Sequence, residues 1–278
     1  MNRRICRRLV VAVCLLAGAS LDAQDMQYPL DVAVDDHGTV YIADLDLPGV
    51  WRFAEGKLNI YFQGQKKFRT PLNRVRCLAI DREGKLLAGD SATREVYRLE
   101  GTAAPVPLTK GGVGIPMCLA VAADGTIYAS DLEIHRIVRF PAAGGDVEIV
   151  AEVPAVRGMA FDKEGRLWVA SHGPDAVLRF SPDFQTRETV VSGRPFQFSH
   201  HLAFAGNGVP YVADGYAKTI WKLAGAEPQI VHQGEPFKNP VGLAWSERFG
   251  LLVADPHQKA VFRLSADGKP ERLIPPTQ

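Results

Sequence analysis

Cysteine is scarce in this chain of 278 residues. Of four in all, Cys6 and Cys14 fall in the first twenty positions, leaving Cys77 and Cys118 for the rest. A disulfide-dense scaffold is therefore excluded, and a hydrophobic core must carry the stability. Charge of one sign is also missing: 32 Lys and Arg oppose 31 Asp and Glu, a net of +1. That balance leaves no electrostatic footprint for nucleic acid. No stretch after the first thirty residues has helical periodicity of useful length, and no apolar run reaches the ~18 residues of a membrane span.

The one concentrated apolar run, Leu9 to Ala19, follows Arg3, Arg4, Arg7 and Arg8 and precedes Ala23. A basic stretch, a short apolar segment and small residues form the pattern of an export signal. Residues 1–23 are expected to be a signal peptide and residues 24–278 the mature domain, secreted or periplasmic, monomeric and not inserted in a membrane. Cleavage there shifts the net charge from +1 to −2.

What the chain has in quantity is repetition. Six segments open with a short apolar run around a central alanine: DVAV from Asp31, CLAI from Cys77, CLAV from Cys118, GMAF from Gly158, HLAF from His201 and GLAW from Gly242. The openings lie 46, 41, 40, 43 and 41 residues apart. Thirteen residues after each comes Asp44, Asp90, Asp131, Ser171, Asp214 or Asp255, and nine further on Phe53, Leu99, Phe140, Phe180, Leu223 or Leu264. Each copy holds four short strand-like runs, the first two separated by a glycine turn suited to a hairpin. Four strands per forty or so residues, six times over, predict an all-β, six-bladed β-propeller with four antiparallel strands per blade. The sixth copy completes its own fourth strand, so the ring is expected to close by packing of blade six on blade one, with a strand contributed by residues 24–29 as the alternative. The recurrent alanine (33, 79, 120, 160, 203, 244) is expected where inner strands crowd the axis and a larger side chain overpacks.

Segments such as GTIYASDLEIHRIVRF (125–140) and VPYVADGYAKTIWKL (209–223) resemble NHL repeats, and the likeness spans residues 28–276. The chain is similar to the senescence marker protein/gluconolactonase-like propellers. That resemblance implies Glu, Asn and Asp metal ligands at positions occupied here by Leu30, His200 and Val241, so the oxygen cage of a calcium site is expected to be missing. An NHL-like amidating lyase implies histidine zinc ligands, of which only Ser199-His200-His201-Leu202 has a counterpart. No metal and no cofactor is expected.

Residues that match in every copy serve the scaffold; residues that break the repeat are free to function. On that test the recurrent aspartates and the basic residue of the third strand (Arg52, Arg98, Arg139, Arg179, Lys222, Arg263) are structural. The residues just before each first strand form a ring: Leu30, Arg76, Met117, Arg157, His200 and Val241. Arg76, Arg157, His172, His200 and His201 break the repeat and suit an anionic small-molecule or protein ligand. In the alternative, a lactonase, esterase or lyase, His200 or His201 would be the general base. Histidine titration would then strengthen anion binding as pH falls. Cys77 and Cys118, equivalent in neighbouring blades, could be inert thiols, a disulfide, or soft ligands joined by His201 or Asp31.

Overall fold

A computed structural model describes residues 25–101, 103–225 and 227–275. The proposed signal peptide lies outside them. Twenty-four strands form six four-stranded antiparallel sheets, each from consecutive strands, and the described residues contain no helix. The blades comprise β1–β4 (Pro29–Gln63), β5–β8 (Val75–Pro107), β9–β12 (Pro116–Glu152), β13–β16 (Val156–Val191), β17–β20 (Ser199–Gln233) and β21–β24 (Gly242–Ile274). Their inner strands β1, β5, β9, β13, β17 and β21 begin within two residues of the six openings read from the repeat.

The ring closes without strand exchange, because blades one and six are each complete. A methyl group built on Gly242 would stand 2.8 Å from the Asp31 Cα, so only glycine lets these inner strands meet. Met26 and Ile274 seal the seam from outside, packed with Ile42, Trp51, Leu252 and Val261. Gly158 serves the same purpose between blades four and five, where a Cβ would lie 2.5 Å from the Leu202 nitrogen. Farther from the axis, Trp51, Tyr97, Phe140, Trp168 and Phe262 fill the seams and are buried. The repeated basic residue faces a fourth-strand carboxylate in three blades, as in Arg139 Nε to Glu148 Oε2 at 2.8 Å and Arg263 Nε to Glu271 Oε2 at 2.9 Å. These pairs are exposed and contribute about 0–1 kcal/mol each.

The recurrent aspartate is a clamp with a fixed reach. Asp44 accepts the backbone N–H groups of Gln27 and Tyr28, Asp90 those of Asn73 and Arg74, and Asp131 those of Gly114 and Ile115. Asp214 and Asp255 repeat the pattern with Gln197 and Phe198, and with Lys238 and Asn239. All five aspartates are buried. Each ties the end of a blade's second strand to the loop leading into its first. Blade four departs for a physical reason. One donor position is Pro154, which has no N–H, and the other N–H, of Ala155, goes to the His135 ring at 3.2 Å. Ser171 stands in the clamp position and donates its hydroxyl to the Pro154 carbonyl at 2.7 Å.

The central alanines correct one expectation. Ala33, Ala120 and Ala203 are buried in the seams, but Ala79, Ala160 and Ala244 are part-exposed, and space remains on the axis. On the hairpin face, Ala79, Ala120, Ala160 and Ala203 border a funnel of about 710 Å³ that narrows towards His201. A larger residue at Ala160 therefore has somewhere to go.

The clamp predicts a non-uniform response to substitution. Asp214→Ala should lower unfolding free energy by about 3 kcal/mol, since two buried N–H groups lose a charged acceptor. Ser171→Asp should also destabilise, because its carboxylate would meet a carbonyl, and Pro154→Ala in the same chain should recover part of the loss. Urea denaturation of the four proteins checks this; a Ser171→Asp variant as stable as wild type would contradict it.

Candidate functional site

A bulge at the start of the inner strand aims the ring residues, and it does not depend on the carboxylate clamp: blade four has the bulge without the aspartate, blade six the aspartate without the bulge. In each of the first five blades, strand pairing slips one residue past the clamp, between Pro29 and Asp31, Val75 and Cys77, Pro116 and Cys118, Val156 and Gly158, and Ser199 and Leu202. The residue left over at each bulge is Leu30, Arg76, Met117 or Arg157, and in blade five His200 with His201. A bulge re-aims a side chain at the end of a strand. These residues converge, with Val241 and Asp31, on an axial mouth of about 20 Å³, room for one small group.

Two guanidiniums dominate it. Arg76 donates from Nε to Ser91 Oγ at 2.9 Å. The buried Nε of Arg157 has no hydrogen-bond partner. Neither forms an ion pair with a carboxylate among the described residues. Burial holds both below the ordinary arginine value; the neighbouring Arg74 adds to this for Arg76, and Arg76 itself for Arg157. A guanidinium stays charged through such shifts, so the mouth carries two confined like charges.

An aromatic group flanks it. Phe198, in the leading loop of blade five, takes the Arg157 guanidinium carbon 5.1 Å from its ring centre. It also meets His172 at 4.3 Å, His200 at 4.8 Å and Tyr216 at 4.5 Å, the last nearly parallel at 21°. His172 donates from Nε2 to the Ser199 carbonyl at 2.7 Å, which fixes its tautomer.

The histidines do not behave as an acidic-pH charge reserve. Burial, reinforced by Arg157, lowers His200 to about 3, and burial also lowers His172. The His200 ring is therefore neutral from pH 5 to 8 and does not supply the added charge by which anion binding was expected to strengthen across that range. A base whose conjugate acid sits near 3 is also a weak proton acceptor at neutral pH. His201 lies beneath the mouth. Its Nε2 stands 3.6 Å from both Cys118 Sγ and Asp31 Oδ1, while Nδ1 is enclosed without a partner. Asp31 accepts the Leu78 N–H at 2.8 Å, and burial pushes its carboxyl up.

The two thiols are free, as the sequence allowed. Cys77 bonds the Pro116 carbonyl at 3.4 Å; Cys118 accepts the Met159 N–H at 3.2 Å. Burial raises both, Cys118 to about 12, so neither is a thiolate. Among the described residues no three His, Cys, Asp or Glu side chains are arranged to hold a metal ion. The metal that a gluconolactonase resemblance implies does not fit here. Leu30 and Val241 offer no donor atom, and two guanidiniums occupy the same mouth.

The structure thus gathers Arg76, Arg157 and His200 at one opening, with His172 behind and His201 below. Sequence reading missed Phe198, Tyr216 and Ser91. Tyr216 had a signal, because four of the five equivalent residues, Asp46, Ala92, Glu133 and Gly173, carry no ring; the fifth is His257. Of the exposed large apolar side chains, Phe68, Ile134 and Tyr216 stand on loops of this leading face, and none on the hairpin face.

His200 predicts an acid-side stability loss. Its folded value lies below the unfolded 6.5, so its contribution is complete above pH 6.5 and is lost as pH falls towards 3. Between pH 6.5 and 5 that loss should be roughly 2 kcal/mol. Urea titrations at both pH values should show His200→Gln flattening this slope; an unchanged slope would contradict the depressed value.

Among solved structures, a gluconolactonase from Xanthomonas campestris is similar at 16% identity, with 85% of each chain covered and a TM-score of 0.72. Virginiamycin B lyase from Staphylococcus aureus is similar at 15% identity, covering 90% of this chain and 86% of that one, TM-score 0.68. A chain of a nidogen/laminin complex matches at 14% identity over 86% and 90%, TM-score 0.67. Enzymes and a binding assembly share this fold, so the fold alone does not choose between them. The family model described as the SMP-30/gluconolactonase/LRE-like region matches residues 21–212, and the chain belongs to that family.

Proposed function

We propose that this propeller binds a small carboxylate-bearing ligand at the axial mouth of its leading face, without a metal ion. The observation that carries the reading is the pair of half-buried guanidiniums, Arg76 and Arg157, confined together without an ion pair; Asp31, which also lines the mouth, lies against His201 and the Leu78 N–H instead. An anion relieves their mutual repulsion and satisfies the idle Arg157 Nε. Guanidinium forks match a carboxylate in shape as well as charge. The mouth admits only the anionic group, so the rest of the ligand lies across the face. Neutral His200 offers a hydrogen bond beside it.

The family and its lactonase and lyase neighbours favour a second reading, an enzyme using the same opening. In it, Arg76 and Arg157 stabilise the oxyanion that develops when a lactone or ester is attacked. His200 would take a proton only after a bound ligand altered its surroundings. Both readings place the protein outside the cytoplasm, on the strength of the basic and apolar N-terminal segment.

Calorimetry with acetate and gluconate, after treatment with a chelator, tests the first reading. Arg76→Ala and Arg157→Ala should each weaken binding roughly 10- to 150-fold, the worth of one charged hydrogen-bonding partner. Wild-type affinity should fall with added salt. Unchanged affinity in both arginine variants, together with loss in Ala160→Phe, would move the site to the funnel on the hairpin face. Hydrolysis of glucono-δ-lactone that appears only when a divalent cation is restored would overturn the metal-free reading.

A further inference from the structure

The geometry points to aromatic carboxylates as the ligand class, with Tyr216 the residue that selects the ring; this rests on the carboxylate reading above. A mouth of about 20 Å³ leaves the body of any ligand outside. What it lies against is then decided by the surface beside the arginines. That surface is the stack of Phe198 and Tyr216, whose ring centres are 4.5 Å apart at 21°. Phe198 is also the ring over which Arg157 lies, at 5.1 Å. Arg157 thus lies against Phe198 and Phe198 against Tyr216, so a ligand whose carboxylate is held by the guanidinium has these two rings beside it.

Tyr216 is 67% exposed although it stacks on Phe198. Water-facing aromatic surface of this size has no role in the fold: the turn it occupies is held by Asp214, which accepts the Ala217 N–H, and by Gly215. Gly215 cannot be enlarged, since a Cβ there would sit 2.3 Å from Asn239 Oδ1 and 3.1 Å from His200 Cδ2. The loop is thus pinned against the mouth, and Tyr216 is carried at a fixed place beside it. Tyr28, whose phenol is pushed up by burial, by Asp46 and Asp255 and then by Tyr216, borders the same side. A flat ring stacks on such a shelf with offset or edge geometry, whereas a saturated ring of equal size gains only area.

The experiment measures binding of acetate, phenylacetate and cyclohexylacetate by calorimetry at pH 7. The proteins are wild type, Tyr216→Ala, Tyr216→Phe and Arg157→Ala. Wild type should prefer phenylacetate over cyclohexylacetate by roughly 3- to 10-fold, the worth of one aromatic pair. Tyr216→Ala should bring the ratio to about one and leave acetate unchanged, and Tyr216→Phe should keep the preference. Tyr216 ring protons should move upfield in the wild-type NMR spectrum when phenylacetate is added. If acetate binds through Arg157 but cyclohexylacetate binds as well as phenylacetate, or the ratio survives Tyr216→Ala, the aromatic assignment falls and the carboxylate site stands. If no acid binds, both fall.

Discussion

A buried carboxylate accepting two backbone N–H groups is the contact on which the rest of this propeller depends. In five of the six blades the aspartate closing the second strand reaches back sixteen and seventeen residues to the loop that leads into the first strand. Two charge-assisted bonds in a dry site are among the stronger contacts a small blade can make. They fix where the chain arrives at the axis. In blades one, two, three and five the strand begins one residue later, with a bulge that turns its extra residue to the axis. Blade four keeps the bulge without the aspartate and blade six the aspartate without the bulge, so scaffold and site are set by two neighbouring devices. What the fold requires is the aspartate and its two donors, and what it leaves free is the residue two positions on.

That division explains how little constrains the mouth. Leu30, Arg76, Met117, Arg157, His200 and Val241 occupy equivalent places and share no chemistry. Positions one step farther along are less free, because they face the next blade. Asp31 bonds Leu78, Cys77 bonds Pro116, Cys118 bonds Met159, and Gly158 and Gly242 leave space for adjoining backbone. His201 belongs to this inner layer and His200 to the outer one. Two consecutive histidines therefore meet different surroundings, one held between a thiol and a carboxyl, the other pressed on Phe198 beside a guanidinium.

The fold was legible because it is periodic. The thirteen-plus-nine spacing located every blade, and the aperiodicity test placed Arg76, Arg157 and His200 at one opening. Three things were not legible. The aromatic shelf escaped because Phe198 follows a strand-like run and reads as core until its neighbours are known. Tyr216 broke the repeat as visibly as His200 did, but aperiodic charge drew more attention than aperiodic aromaticity. The depression of His200 could not be read from residue types, since it arises from burial, with Arg157, His172 and His201 adding to it. The funnel was missed through a geometric simplification. Alanine at the axis suggests crowding, yet inner strands can splay on one face while meeting on the other.

Within a family whose resemblance implies a cation at this mouth, the present chain has put cations of its own there. The exchange has a physical logic. A metal ion bound by carboxylates supplies positive charge that can polarise an oxygen, but it requires three or more converging donors. Two guanidiniums supply a similar field from side chains that need only be aimed, and bulges already aim them. They differ in what they recognise. An open metal position accepts any small oxygen ligand, whereas paired guanidiniums reward planar anions. On the proposed carboxylate reading, guanidiniums in place of a metal narrow the ligand from oxygen donors in general to carboxylate-like groups, and leave discrimination among those to whatever surface lies alongside. Here that surface is Phe198 and Tyr216, one ring from the charge.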